Sequence, residues 1–204
     1  MSLFYTLSYM VNFAPWENAA RHGPAATHIA ALLDREEAER TPPYGRALDL
    51  GCGRGHWSIE LAKRGWQTTG IDLVGSAIEA ARKHAAEAGV RVRFVQGDAT
   101  AMRAAGIEPE FQFVWDFGAL HGLSDSQRRA VARELDALAA SGATMLILAW
   151  APGRRWPLPR GASRADLENV FSSWRVIDEA PFDASGLPPP LRTGRPCFYR
   201  LRKA

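Results

Sequence analysis

Three glycines at alternate positions, Gly51, Gly53 and Gly55, follow the apolar run that ends Leu48-Asp49-Leu50 and precede an amphipathic stretch opening near Trp57. Glycine permits a tight turn and the close approach of a ligand, and the amides at the start of a following helix favour an anionic group. Single acids recur where later apolar runs end. Asp72 stands 19 residues beyond Gly53 (72 − 53), Asp98 follows Gln96-Gly97, and Asp116 closes Phe113-Val114-Trp115. Each can accept hydrogen bonds from a ligand, or cap the element that comes next. His121 lies just beyond Asp116, and the usual pKa of histidine suits proton transfer near neutral pH. Arg154, Arg155 and Arg160, with Trp156 among them, offer forked donors for a carboxylate or phenolate.

These residues need elements to position them. Short apolar runs alternate with helical patterns, which predicts a parallel sheet with helices on both faces. Strands are expected at 46–50, 67–71, 91–95, 111–116, 144–150, 174–179 and 197–202, and their near-continuous apolarity suits burial on both faces. Helices are expected at 57–64, 76–88 and 126–140, stopped by Gly65, Gly89 and Ser141-Gly142, and at 163–171, opened by Ser163 and Asp166 as a capping pair. Arg91 and Arg93 fall at period-two positions of a solvated strand face, and Arg200 and Arg202 read the same way. Before the sheet, an aromatic-rich start (Phe4, Tyr5, Tyr9, Phe13, Trp16) leads into a helical stretch over 25–40 closed by Pro42-Pro43. Loops at 151–161 and 181–196 leave strand ends, where ligands of open α/β sheets gather.

Composition bounds the reading. At 204 residues, one domain is expected, and 47% hydrophobic with 23% charged residues argues against disorder. The longest strongly apolar run, 143–151, is far short of the ~20 residues of a membrane-spanning helix. No secretory pattern opens the chain, so a cytoplasmic location is expected. Two cysteines, Cys52 and Cys197, form neither a disulfide framework nor a metal-ligand cluster. Although the net charge is +3, no clustered basic stripe marks a nucleic-acid footprint.

Two ligand classes use a strand, a glycine turn and a helix: dinucleotides and S-adenosylmethionine. A dinucleotide fingerprint wants its third glycine where this chain has the bulkier His56. The pattern Asp49-x-Gly51-x-Gly53-x-Gly55 instead resembles the class I S-adenosylmethionine-dependent methyltransferases, with likeness running over roughly 44–150. That resemblance implies a three-layer α/β, Rossmann-like, seven-stranded and mostly parallel sheet, of order 3-2-1-4-5-7-6 with the last strand antiparallel and helices on both faces. It implies S-adenosylmethionine at Asp49, Gly51, Cys52, Gly53 and Gly55, with Asp72 on the ribose and Leu73 against the adenine. Asp98 and Ala99 would meet the adenine amino group, and Asp116 and Phe117 the methionine end. Residues 9–17 and 116–123 are similar to small bacterial methyltransferases related to the thiopurine enzymes. By that likeness Trp16 folds over the cofactor, while Tyr5, Tyr9, Phe13, His121, Arg154 and Trp156 surround an aromatic substrate. One domain is expected, with a cap at 1–43, a cofactor core at 44–150, and substrate loops and closing strands at 151–204.

The expected activity is methyl transfer to an O, S or N atom of a small aromatic or heterocyclic molecule, leaving S-adenosylhomocysteine, without metal, nucleic acid or membrane. His121 serves as base if the acceptor is a hydroxyl. Asp116 is followed by Phe117-Gly118 rather than a Pro-Pro-Tyr run, which argues against methylation of a base amino group. Two alternatives stay open: a protein that binds the cofactor without transferring the methyl, and a nicotinamide-dependent oxidoreductase.

Overall fold

In chain order the elements are α1 (Gly23–Ala38), β1 (Arg46–Leu50), α2 (His56–Lys63), β2 (Gln67–Asp72), α3 (Gly75–Glu87), β3 (Arg93–Gln96), a 3-10 turn (Ala99–Ala101), β4 (Phe111–Asp116), a second 3-10 turn (Leu120–Gly122), α4 (Asp125–Leu138), β5 (Ala139–Trp150), α5 (Arg164–Val170), β6 (Trp174–Pro181) and β7 (Pro196–Lys203). They belong to a computed structural model that describes residues 23–153, 160–184 and 194–204. The strands form one sheet of order β3-β2-β1-β4-β5-β7-β6. β1 to β5 pair in parallel, and β7 runs antiparallel between β5 and β6. This is the order that the sequence resemblance implies.

Alternation along the strands divides the core. Phe113, Trp115, Leu146 and Leu148 pack with Ile29 and Leu33 of α1 and Leu61 of α2. Their neighbours Val114, Met145 and Ile147 pack with Val131 and Leu135 of α4 and Leu167 of α5. Apolar side chains are therefore needed on both faces, which is why the strands read as unbroken runs. α5 begins with the expected capping box of Ser163 and Asp166. α4 begins with another, formed by Ser124 and Gln127.

Two expectations are corrected. The helix expected to reach 140 stops at Leu138, and β5 starts at Ala139 rather than at 144. Lys203 of β7 replaces the missing helical turn, its Nζ donating to the carbonyls of Asp136 at 2.7 Å and Ala139 at 2.6 Å. The second correction concerns Arg200, which does not face solvent. β7 is an interior strand, α1 covers this end of it, and Arg200 is 5% exposed. Its guanidinium donates to Glu36 at 2.8 Å and to both oxygens of Glu39 at 2.7 and 2.8 Å. Glu36, 1% exposed, also accepts from Arg40 at 2.6 Å and from the Thr144 hydroxyl. Arg93, by contrast, is exposed at the β3 edge as expected, where charge discourages pairing with another chain, and Arg91 is exposed just before the strand, which starts at 93 rather than 91.

This buried network fastens α1 across β5 and β7. Removing one member of a buried ion pair leaves the others uncompensated. Glu36→Ala should therefore lower unfolding free energy by about 3–5 kcal/mol, read from the shift of a urea denaturation midpoint at unchanged slope. A shift as small as that of an exposed pair would refute this role.

Candidate functional site

Parallel register aligns the strand ends that carry the chemistry. Leu50 of β1 lies opposite Ile71 of β2 on one side and opposite Asp116 of β4 on the other, while Asp72 lies opposite Gln96 of β3. The turn leaving β1 crosses directly onto β2: the amides of Gly51 and Cys52 both donate to Ile71 O, at 2.9 and 3.0 Å. All three glycines of the turn have positive φ, +71° at Gly51, +52° at Gly53 and +78° at Gly55, a region costly for residues with a Cβ. At two of them the space is taken by protein rather than left for a ligand. A Cβ at Gly51 would sit 2.6 Å from that of Ala119, and one at Gly55 2.6 Å from the Phe94 ring. α2 starts at once after Gly55 and has no side-chain cap, in contrast to the boxes on α4 and α5. The Ser58 amide within its first turn goes to the buried Asp49 carboxylate, and the positive end of the helix faces the turn.

Asp72 is buried and ties turn to sheet. Its Oδ2 accepts from Gly53 N–H at 3.0 Å and its Oδ1 from Val74 N–H at 2.8 Å. Beside it Leu73 is 42% exposed, an apolar side chain held in solvent next to a positioned carboxylate. Asp98 is exposed, and its Oδ1 takes the amide and hydroxyl of Thr100, both at 2.8 Å, capping the 3-10 turn in which Ala99 is half-buried.

Asp49 and Asp116 are turned inward. Asp49 Oδ2 accepts from Ser58 Oγ of α2 at 2.5 Å. Burial, opposed by that bond and reinforced by the charges of Asp116 and Asp72, pushes its carboxyl up to about 7. Asp116 is fully buried and organises the loop after β4, its oxygens accepting from the amides of Gly118, Ala119 and Leu120 at 2.8, 2.6 and 2.9 Å. Burial outweighs those three bonds and raises it to about 6. Cys52 is buried, packed against Gly70 and Ser58, and its thiol is pushed up by burial.

His121 is 1% exposed, with Nδ1 3.1 Å from Leu148 O and its ring edge-on to Trp150 at 4.9 Å. A carbonyl only accepts, so Nδ1 donates the proton of that bond. Phe117 joins an aromatic cluster that the sequence reading did not assemble. Its ring lies 5.2 Å from Trp57, 6.0 Å from Trp115, 6.2 Å from Phe198 and 6.4 Å from Phe182. These rings come from α2, β4, the end of β6 and β7, and only the sheet order unites them. Trp115 Nε1, within this cluster, is a buried donor with no acceptor among the described residues. Trp57 also walls a cavity of about 240 Å³ between α1 and α2, shared with Ile29, Leu33 and His56. Arg160 is committed elsewhere, to Asp125 and Leu123 O. Trp16, Tyr5, Tyr9, Phe13, Arg154 and Trp156 lie outside the described residues. Among those described, no group of three His, Cys, Asp or Glu residues could hold a metal, and no helix is long and apolar enough to cross a membrane.

Sheet order, glycine turn and the acids at successive strand ends define the class I S-adenosylmethionine-dependent methyltransferase fold. Residues 47–142 match the family described as "Methyltransferase domain". The chain is similar to a 2-heptyl-1-hydroxyquinolin-4(1H)-one methyltransferase of Mycobacteroides abscessus, 28% identical over 81% of this chain and 74% of that protein. Over 38% of its length it is 36% identical to the ribosomal RNA small subunit methyltransferase C of Alcanivorax borkumensis, covering only 24% of that protein. Among solved structures, the N-methyltransferase NodS from Bradyrhizobium japonicum, in complex with S-adenosyl-l-homocysteine, superposes with a TM-score of 0.71 at 17% identity, over 90% of each chain. Residues 47–142 thus carry a methyltransferase domain on the fold of the class I S-adenosylmethionine-dependent methyltransferases, and S-adenosylmethionine is the cofactor of that class.

A prediction follows from Asp49. Its ordinary pKa is 3.8 and its folded one about 7, so between those values the native state holds a proton that the unfolded chain has released. Stability must then fall as pH rises from about 4 to 7, and Asp49→Asn should flatten that slope. Urea unfolding across this range checks it; identical slopes for the two proteins would contradict it.

Proposed function

We propose that this chain transfers a methyl group from S-adenosylmethionine to an O, S or N atom of a small, flat aromatic or heterocyclic molecule. The carrying observation is the junction of β1 and β2, where Asp72 receives the Gly53 amide beside an uncapped helix start and an exposed Leu73. These features fit the cofactor chemically. A carboxylate can accept more than two hydrogen bonds, so the oriented Asp72 can take ribose hydroxyls as well. Leu73 supplies an apolar face for adenine, the α2 amides a partner for the amino-acid carboxylate, and Asp98 a partner for the adenine amino group.

When bound, the cofactor supplies an electrophilic methyl on a sulfonium. The protein's task is then to align an acceptor in line with it and to exclude water, and such positioning is worth up to ~7–11 kcal/mol. Phe117 follows the strand end nearest the turn and offers its ring to a planar acceptor, backed by Trp57, Trp115 and Phe182. A thiolate or neutral amine needs no protein base. For a hydroxyl, Nε2 of His121 takes the proton, its tautomer set by Leu148 O.

The quinolone enzyme, whose likeness extends over most of this chain, supports a small aromatic acceptor. The ribosomal RNA enzyme is matched over only 77 residues, 24% of its own length. A nicotinamide-dependent activity is disfavoured by the antiparallel β7, absent from the 3-2-1-4-5-6 dinucleotide sheet.

Labelled S-adenosylmethionine offered with phenols, thiols, heterocyclic amines and 2-heptyl-1-hydroxyquinolin-4(1H)-one tests the proposal directly. Labelled product is expected; cofactor binding without product from the whole panel would leave only a cofactor-binding protein. At ~100 times its Kd, S-adenosylhomocysteine should stabilise the fold by about 2.7 kcal/mol. Stabilisation by NAD but not by S-adenosylhomocysteine would overturn the reading. Asp72→Ala should weaken S-adenosylhomocysteine binding by about 1–3 kcal/mol through lost charge-assisted bonds, measured by calorimetry, and unchanged affinity would remove Asp72 from the site.

A further inference from the structure

α4 is strongly polar along its outer face, yet Arg128 on it is only 3% exposed. Its guanidinium makes three hydrogen bonds, all to main-chain carbonyls. Nε donates to Leu123 O at 3.1 Å, and Nη2 donates to His121 O at 2.7 Å and to Gly161 O at 2.6 Å. No carboxylate among the described residues lies within ion-pair distance of it; Asp166, Asp125 and Asp116 act on it only from farther away. Keeping such a cation buried is costly, and the three carbonyls show what the cost secures. His121 and Leu123 belong to the turn after β4, whereas Gly161 belongs to the return of the loop after β5.

The second loop is pressed hard against the sheet at this point. Gly161 has φ +82°, a Cβ there would lie 2.4 Å from Trp150 O and 2.5 Å from Ala151 O, and Ala162 N–H donates to Trp150 O at 2.9 Å. Trp150 in turn supports the His121 ring. One planar fork therefore joins the two loops that flank the strand ends beside Phe117. His121 is held twice, through its ring by Leu148 O and through its own carbonyl by Arg128.

We propose that Arg128 is a positioning residue for methyl transfer: by clamping the post-β4 loop to the post-β5 loop it fixes His121 and the acceptor wall, while leaving cofactor binding untouched. This rests on the methyltransferase reading above. The glycine turn and Asp72 receive none of the Arg128 bonds, and the loop that Arg128 holds meets that turn only farther along, where Ala119 packs against Gly51. A lysine at this position keeps the charge but not the fork that spans three carbonyls.

The test compares wild type with Arg128→Lys and, because that variant can fail to fold, with Arg128→Gln, which removes the buried charge and lacks the fork that spans three carbonyls. Three quantities are measured: S-adenosylhomocysteine affinity by calorimetry, kcat and KM with the hydroxyquinolone of the panel above, and the long-range 1H–15N spectrum of the His121 ring. Expected are unchanged S-adenosylhomocysteine affinity, a kcat lower by roughly 10- to 100-fold, as small misplacements produce, and loss of the single Nδ1–H tautomer that wild type shows. Unaltered kcat and ring signals in either folded variant would overturn the proposal, as would a parallel loss of cofactor affinity. Absence of turnover by wild type would instead count against the methyltransferase reading, and the ring spectra would still decide whether Arg128 positions His121.

Discussion

The bond from the Gly53 amide to the Asp72 carboxylate is the interaction on which the site depends. It joins the turn leaving β1 to the end of β2, and it exists only because parallel pairing sets Leu50 level with Ile71. Both elements contribute something the other lacks. The glycines allow left-handed backbone that brings amides round, and the strand delivers a buried acceptor at a fixed height. Asp116 does similar work on the other side of β1, gathering three amides of the loop after β4. The end of the sheet is thus a row of carboxylates, each folding a connection back over its own strand.

A different device secures the covering layer. α1 packs on the sheet through Ile29 and Leu33, but its far end is fixed by charge, with Glu36 and Glu39 gripping Arg200 of β7 and Arg40 reaching Thr144 of β5. Near α2, Arg64 binds Asp34, Glu37 and Glu60 at 2.7, 2.9 and 3.0 Å, and Trp66 Nε1 donates to Glu37. Directional bonds at both places fix the angle of α1 in a way that apolar contact alone does not. The position of His28 against Phe182, with ring centroids 5.9 Å apart, follows from that angle.

Much of this was legible in the sequence, for physical reasons. Strands buried on both faces announce themselves as apolar runs, and helices stop at glycines such as Gly65 and Gly89, so the elements were placed closely. The turn was legible because its conformation excludes other residues, and the sheet order because the pattern around it resembles a known family. Arg200 was misread because period two tells which face a side chain takes, not whether a helix from elsewhere covers that face. β5 was cut short because the carbonyls that end α4 are satisfied by Lys203, a residue far along the chain. Arg128 carries no local sequence signal, since its partners are backbone carbonyls of two loops. The aromatic cluster escaped for the same reason: Trp57, Phe117, Phe182 and Phe198 are neighbours only through the crossing of strands.

The uncapped start of α2 has a consequence for how ligands arrive. Its dipole points a positive end at the turn, where Asp72 brings a carboxylate of opposite sign, while Asp49 and Asp116 lie buried beneath. Opposite charges so close together cancel at a distance, leaving little field beyond a Debye length. On the proposed reading, a zwitterionic amino-acid tail meets partners of both signs there without being steered from afar. Capture on that reading follows from diffusion and fit, with ionic strength a weak lever on it, unlike the counterion release that dominates proteins of polyanions.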